Sequence, residues 1–244
     1  QNNISDHRPV YWSYYVPTLN SGSGLIINEI MNNPNVVNDS FGEWIELTNI
    51  SNEEIDLYNF IIKDNDNDYH VINEHIIVQP DEFKVFGISN DETLNGNIQI
   101  DYQYANFFLN NFIDEIIIQH PNGSVIDQVA YDYNVNFENV SGRSIMLIDP
   151  SLDNTLGSNW LASNIQMNNG DYGTPGQSNM QSCNNTGDLN SDIEINIVDV
   201  ILMVNFILGI DNQYDVLCFG DIDSNNEINI IDVVLLVEYI LGNN

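Results

Sequence analysis

Two twelve-residue stretches, 188–199 and 221–232, place oxygen-bearing side chains at positions 1, 3, 5, 7, 9 and 12 of each. The first supplies Asp188, Asn190, Asp192, Glu194, Asn196 and Asp199; the second supplies Asp221, Asp223, Asn225, Glu227, Asn229 and Asp232. In a loop of this spacing, side chains at positions 1, 3, 5 and 12 and a backbone carbonyl at position 7 turn inward, and position 9 acts through water. That is the chemistry of one hard cation per loop. Ca²⁺ accepts six to eight oxygens at flexible geometry, whereas Mg²⁺ keeps more of its water, so the pattern predicts two Ca²⁺ sites. The copies stand 33 residues apart and in register, which chance in an Asp- and Asn-rich chain does not produce. Position 6, where such a loop turns sharply and glycine serves best, holds Ile193 and Asn226. Asn tolerates left-handed backbone and β-branched Ile does not, so the second loop is expected to be the better site.

An apolar run follows each loop. Helices are expected over Val200–Leu208 and Val233–Leu241, each with one polar residue, Asn205 and Glu238, and each closed by glycine in an Ile-Leu-Gly ending. A helix that is apolar all round must be covered on more than one face, and a unit of about 60 residues has little core to do so. Either the rest of the chain covers the spare face, or another protein does. Ile197, Val198, Ile230 and Ile231, at positions 10 and 11 of the loops, are the candidate partner-binding residues.

Composition narrows the function classes. The chain has 244 residues, a net charge of −32 and 43% hydrophobic content. Four strong cations, Arg8, Lys63, Lys84 and Arg143, cannot neutralise a run of phosphates, so nucleic acid and anionic membranes are excluded as electrostatic partners. No apolar stretch is long enough to span a membrane. Cys183 and Cys218 each lie just upstream of a loop. They are either a disulfide joining the two repeat starts, worth about 3–4 kcal/mol in the chain-entropy model, or two buried thiols. A disulfide favours an oxidising, extracellular compartment.

The remaining chain reads as β structure. Candidate strands are Leu25–Met31, Glu43–Thr48, Ile55–Lys63, His75–Val78, Phe83–Gly87, Asp114–His120, Val125–Tyr131 and Ser144–Ile148. They are short, rich in Ile, Val, Tyr and Phe, and punctuated by Asn, Asp, Gly and Pro. Pro121-Asn122-Gly123 between two runs predicts a type I′ hairpin turn. The expected fold is mainly β, an immunoglobulin-like β-sandwich over 25–179 followed by a small α C-terminal domain over 187–244, with repeats at 187–209 and 220–242. Residues 1–24 are expected to be a remnant of an upstream domain ending in a flexible Ser21–Gly24 linker, and 180–186 lie in a polar linking stretch that begins at 177.

Three resemblances attach to particular residues. Gly187-Asp-Leu-Asn-Ser-Asp192 and Gly220-Asp-Ile-Asp-Ser-Asn225, each followed by Ile-Asn, an Asp at position 12 and Ile-Leu-Gly, resemble type I dockerins, the paired loop-helix modules of secreted bacterial proteins. That resemblance implies calcium-dependent docking on a cohesin-like or envelope partner. Cohesin-binding dockerins commonly carry a hydroxyl pair at positions 10 and 11, and the isoleucines and valine here depart from it. Ile26-Ile-Asn-Glu-Ile-Met31, Gly42-Glu-Trp-Ile-Glu-Leu-Thr-Asn49 and Asp127-Gln-Val-Ala-Tyr131, with Asn159-Trp160 and Gly173-Thr-Pro-Gly176, resemble a lamin tail domain. This implies an immunoglobulin-like binding module without catalytic residues. Ser5-Asp6-His7-Arg8-Pro9-Val10 resembles the last motif of the endonuclease/exonuclease/phosphatase family, with His7 and Asp6 in that family's site roles. The rest of such a site is not in this chain, so the resemblance implies at most a secreted metal-dependent nuclease or phosphodiesterase upstream.

No catalytic constellation emerges from the residues themselves. Glu43 and Glu46 are expected on opposite faces of a strand, and His70, His75 and His120 fall on separate segments. Asp64-Asn-Asp-Asn-Asp68 reads as a solvated turn rather than a third calcium loop, and Trp44 and Trp160 as core anchors. Three functions therefore remain in play: a non-catalytic, extracellular or cell-surface docking segment, the tail of a secreted nuclease, or a calcium-locked cap docked on its own sandwich.

Overall fold

The computed structural model describes residues 22–135, 137, 140–179, 187–190, 192, 194–210, 219–223 and 228–242. Three sheets build the β unit. Strands β1 (Leu25–Met31), β2 (Trp44–Asn49), β7 (Phe83–Gly87), β8 (Tyr102–Gln103), β11 (Ile145–Leu147) and β12 (Trp160–Ala162) form a six-stranded sheet in the order β12-β11-β1-β2-β7-β8. Strands β4 (Ile61–Lys63), β5 (Tyr69–Val71), β9 (Ile113–Gln119) and β10 (Val125–Asp132) form a second sheet in the order β10-β9-β4-β5. A two-stranded ribbon pairs β3 (Ile55–Asp56) with β6 (Ile77–Val78). The single helical turn α1 (Asp39–Gly42) connects β1 to β2.

Alternation of apolar and polar residues decides which sides meet. Ile27, Ile45, Leu47 and Phe86 from the first sheet and Ile62, Ile116, Ile118 and Val129 from the second share one buried cluster, closed by Tyr104, Phe107 and Tyr131. Two inner faces packed in this way make a sandwich. Trp160 is buried in that cluster, and Trp44 anchors a smaller one with Met31, Val85 and Ile98.

The strand expected over Ile55–Lys63 is two strands. Asn59 stands at φ 66° in the turn between them, closed by the Phe60 N–H donating to the Leu57 carbonyl, and that turn carries the chain from the ribbon to the second sheet. The hairpin at Pro121–Gly123 is not type I′. Only Gly123 has positive φ, and His120 pairs with Ser124 around a three-residue loop, a turn whose last residue alone needs glycine. The Ser21–Gly24 linker is, from Gly22 onward, a tight turn in which the Leu25 N–H donates to the Gly22 carbonyl. A Cβ at Gly22 would lie 2.8 Å from the Phe60 ring, so the chain enters the sandwich already packed.

The C-terminal unit has helices α2 (Ile197–Ile207) and α3 (Ile230–Ile240), packed through Val200, Met203, Val233, Leu236 and Leu189. Both begin three residues earlier than expected. Asn196 and Asn229, expected to reach the cation through water, are N-caps, and Asp199 and Asp232 occupy the third helical position of a capping box. The position-12 carboxylate therefore belongs to the first turn of the helix. At the far end the Gly209 N–H donates to the Phe206 carbonyl and the Ile210 N–H to Asn205, a Schellman motif that φ 66° at Gly209 makes possible. Among the described residues no helix is long and apolar enough to cross a membrane.

Candidate metal centre and docking face

In each repeat one buried aspartate fastens loop to helix. Asp199 Oδ1 accepts from the Leu189 N–H at 2.8 Å and its Oδ2 from the Asn196 N–H at 2.7 Å. Asp232 does the same with Ile222 at 2.9 Å and Asn229 at 2.9 Å. Both side chains are fully buried. The positions that donate are equivalent, 2 and 9 of each loop, so the repeat in sequence is a repeat in hydrogen bonding. The residues leading into the two loops also meet: the Gly187 N–H donates to the Phe219 carbonyl at 2.8 Å. A Cβ at Gly187, with φ 104°, would lie 3.0 Å from Leu236 of the opposite helix, so glycine is required there on both counts.

The second loop draws its acids together. Asp221, Asp223 and Asp232 each offer a carboxylate oxygen, and all three oxygens lie within 4.8 Å of one another. Such an arrangement concentrates negative charge beside a helix start, and a hard cation with oxygen ligands is the group that offsets it. The donor set fits Ca²⁺: Asp221, Asp223 and Asp232 would hold it, and Asp232 keeps its loop N–H groups as it does so. In the first loop Asp188, Asp192 and Asp199 form no comparable trio. Position 3 is the amide Asn190, whose Nδ2 donates to Asp192 Oδ2 at 2.8 Å, while the Asp192 N–H donates to Asp188 Oδ1 at 3.2 Å. The Glu194 N–H donates to Asp192 Oδ1, and the Asn196 amide reaches the Glu194 carbonyl. Ile193, Asn225, Asn226 and Glu227 lie outside the described residues, as do Cys183, Cys218, Asp6 and His7.

The proposed partner residues are open. Ile197 and Val198 are 63% and 45% exposed, and Ile230 and Ile231 are 65% and 53% exposed. Ile201 and Val234, one turn further along, are exposed as well. Each helix thus spends one face on its neighbour and presents the other as an apolar strip.

Among its described residues the β unit gathers no comparable carboxylate trio. Asp64 Oδ1 accepts from the Asp66 and Asp68 N–H groups and Asp68 Oδ2 from the Phe108 N–H, so these acids close a turn and join no metal-sized carboxylate trio. His75 stacks on Tyr58 beside Asp56, His120 meets the edge of Phe60, and His70 bonds Tyr102 at 2.8 Å, three separate neighbourhoods. The Ala105 N–H donates to His70 Nδ1, which places the ring proton on Nε2 toward the Tyr102 hydroxyl. Burial lowers the pKa of His70. Glu43 accepts from the Leu109 N–H at 3.0 Å, and burial, with Asp39, Asp114 and Asp68 nearby, pushes its carboxyl up to about 8. Glu46 belongs to a different network. Its cross-strand partner is Glu29, a buried pairing that sequence reasoning missed. The available signal was a glutamate inside each of two largely apolar stretches, Glu29 in Ile26–Met31 and Glu46 in Trp44–Leu47.

The architecture is thus that of a mainly β, immunoglobulin-like module followed by a paired loop-helix unit. The family model of the Lamin Tail Domain matches residues 18–132, so this part of the chain, most of the β unit, is similar to that family. The match stops at the last residue of β10, yet β11 and β12 continue the same sheet beyond it. No curated protein matches the chain.

Proposed function

We propose that the C-terminal unit is a calcium-organised docking module that tethers the β unit, and whatever chain accompanies it, to another protein outside the cell. The observation that carries this reading is the convergence of Asp221, Asp223 and Asp232 at the start of a helix whose first two residues, Ile230 and Ile231, are exposed and apolar. Calcium would fix the loop, the loop fixes the helix through Asp232, and the helix holds the isoleucines out. Extracellular calcium is abundant enough for modest sites of this type. The partner is a protein with an apolar groove and a neutral or basic rim, because this chain carries a net charge of −32. The first loop is the weaker site and contributes mainly the matching strip at Ile197 and Val198.

Calorimetric titration of the chelator-treated full chain with Ca²⁺ tests the metal, with unfolding followed in parallel. Two binding events of unequal affinity and a rise in melting temperature are expected, since a ligand that binds only the folded state stabilises it. Silence in both measurements refutes the reading. Capture of a partner with Ca²⁺ present and its loss in chelator then tests docking.

A further inference from the structure

A bulge in β1 sets two consecutive oxygen-bearing side chains against one. The register slips at Ile27/Glu29, so Glu29 is the Cα partner of Glu46 while Asn28 Nδ2 donates to Glu46 Oε1 at 2.8 Å. All three side chains are fully buried. A strap, residues 172–179, crosses them. The Thr174 N–H donates to Glu29 Oε1 at 2.8 Å, and the Gly176 N–H donates to Glu46 Oε2 at 2.6 Å. The Ser144 hydroxyl donates to Glu29 Oε1 and the Thr174 hydroxyl to Glu29 Oε2 at 2.7 Å.

Every one of these bonds runs from a donor to a glutamate oxygen, the surroundings of two ionised carboxylates. A carboxylate has about four lone pairs to offer. Three donors reach Glu29 and two reach Glu46, so Glu29 Oε2 and both Glu46 oxygens can still accept. Asn28 Oδ1 is buried with no donor at all. It belongs to the same small planar amide as the Nδ2 that touches Glu46, so it lies beside that carboxylate. Exchanging the amide oxygen and nitrogen would set an oxygen against Glu46 Oε1 and gives no relief. The site is rich in acceptors, and the chain around it supplies too few donors.

Its charge is likewise unanswered. Among the described residues no ion pair involves Glu29 or Glu46. Lys84 is engaged by Glu82 at 2.7 Å and Asp101 at 3.3 Å. The Arg143 guanidinium lies over the Tyr172 ring at 4.5 Å and donates to the Ser163 carbonyl. Burial raises the pKa of both carboxyls, and Glu29 raises that of Glu46 further, so a bare pair is costly.

We propose that Asn28, Glu29 and Glu46 hold a hard divalent cation inside the β unit, beneath the 172–179 strap. Two carboxylates match a double positive charge, and an oxygen-only donor set selects Ca²⁺ or Mg²⁺ over softer metals. The ion would fix the two carboxylates at one spacing, and through them the Thr174 and Gly176 N–H groups of the strap. The strap closes tightly over the site: a Cβ at Gly173 would lie 3.2 Å from Glu29 Oε1 and 3.1 Å from Trp44 Cζ2. The ion is therefore taken up as the chain folds and is shielded from chelator afterwards, unlike an ion in the open loops. Titration of the folded, chelator-treated chain reads the loops alone, so this site stands or falls separately from the docking module.

Refolding the full chain tests it. The chain is unfolded in denaturant with chelator, refolded with Ca²⁺, with Mg²⁺ or with neither, and treated with chelator once folded, before its metal content and melting are read. The wild type is expected to keep a single ion per chain from one of the two metals, and its β unit, followed by tryptophan fluorescence, to melt higher with that metal than without it. Asp221→Asn with Asp223→Asn should keep the ion, because those residues belong to the second loop. Glu46→Gln can still accept the Gly176 N–H but has lost the charge, and should keep none. A wild type that keeps no metal overturns the proposal, as does one that melts alike with and without it. Retention in Glu46→Gln, or loss in the loop variant, also overturns it. If Glu46→Gln does not fold, the loop variant refolded with Tb³⁺ replaces it. Terbium emission excited through tryptophan should survive chelator, since the Trp44 indole borders Glu29, and its absence overturns the proposal.

Discussion

Asp232 Oδ1 accepts the backbone N–H of Ile222 at 2.9 Å, a contact that spans ten residues and closes the second loop onto the first turn of its helix. The other oxygen of the same carboxylate completes the helix cap at Asn229. One side chain therefore holds the loop, starts the helix and belongs to the acidic trio. Calcium bound at the proposed site would be coupled to helix placement through this side chain.

Replacing Asp232 with Ala should orphan the Ile222 and Asn229 N–H groups and remove the cap. The expected cost is roughly 1–3 kcal/mol, large for a unit with so small a core. Loss of helical circular dichroism at a lower temperature than wild type checks it, and the melting of the β unit should not move. Asp199→Ala should act in the same direction on the first repeat.

Asp221→Asn and Asp223→Asn remove charge from the trio without touching the cap. Calcium affinity at the tighter site should fall by about tenfold or more, since ligand charge tunes such sites over decades. Unfolding in chelator should be unchanged or slightly improved, because like charges have been separated. Calorimetry and thermal melts on the same samples distinguish the two effects.

Ile230→Ser with Ile231→Ser changes exposed residues only. Stability and calcium binding should stay within about 0.5 kcal/mol of wild type, as is usual for surface positions. Partner capture should be lost or sharply weakened, because buried apolar anchors dominate interface energies. Retention of full capture would place the docking face elsewhere.

The β unit should be most stable at mildly acidic pH. Glu43 has a folded value of about 8 against an ordinary 4.5. The unfolded chain therefore ionises first, and stability present below about 4.5 is lost at about 1.4 kcal/mol per pH unit as pH rises toward about 8. Glu43→Gln can still accept the Leu109 N–H and should flatten that limb. Melting temperature against pH for the two chains, measured from about pH 5 to 9, decides it. Asp114, pushed from 3.8 up to about 6 by burial, adds a contribution of the same sign over a narrower window at lower pH.

Long strands were legible because Leu25–Met31, Phe83–Gly87 and Val125–Asp132 keep runs of β-forming residues between clear turn signals. Strands β5, β8 and β12 were not, since two or three residues carry no periodicity and pairing to a neighbour alone makes them strands. The helix starts were misplaced for a chemical reason. Position 12 was read as a ligand only, while Asn-x-x-Asp at positions 9 to 12 is also a capping box, and the backbone uses both.

By itself the sequence determined the local chemistry: the spacing of the loop acids, the apolar helices behind them, and a β unit of short β-forming runs between turn residues, the pattern of a sandwich. Those are matters of distance along the chain, and distance along the chain is what a sequence records. Tertiary structure showed which acids meet. Asp221, Asp223 and Asp232, at positions 1, 3 and 12, converge; in the first loop position 3 is the amide Asn190, so that trio cannot form there. Glu29 faces Glu46 because a bulge and a strand register put them opposite, and a strap 130 residues beyond Glu46 seals them from water at Gly176. Burial and the company of a second charge set what a carboxylate does, and both are properties of the folded chain.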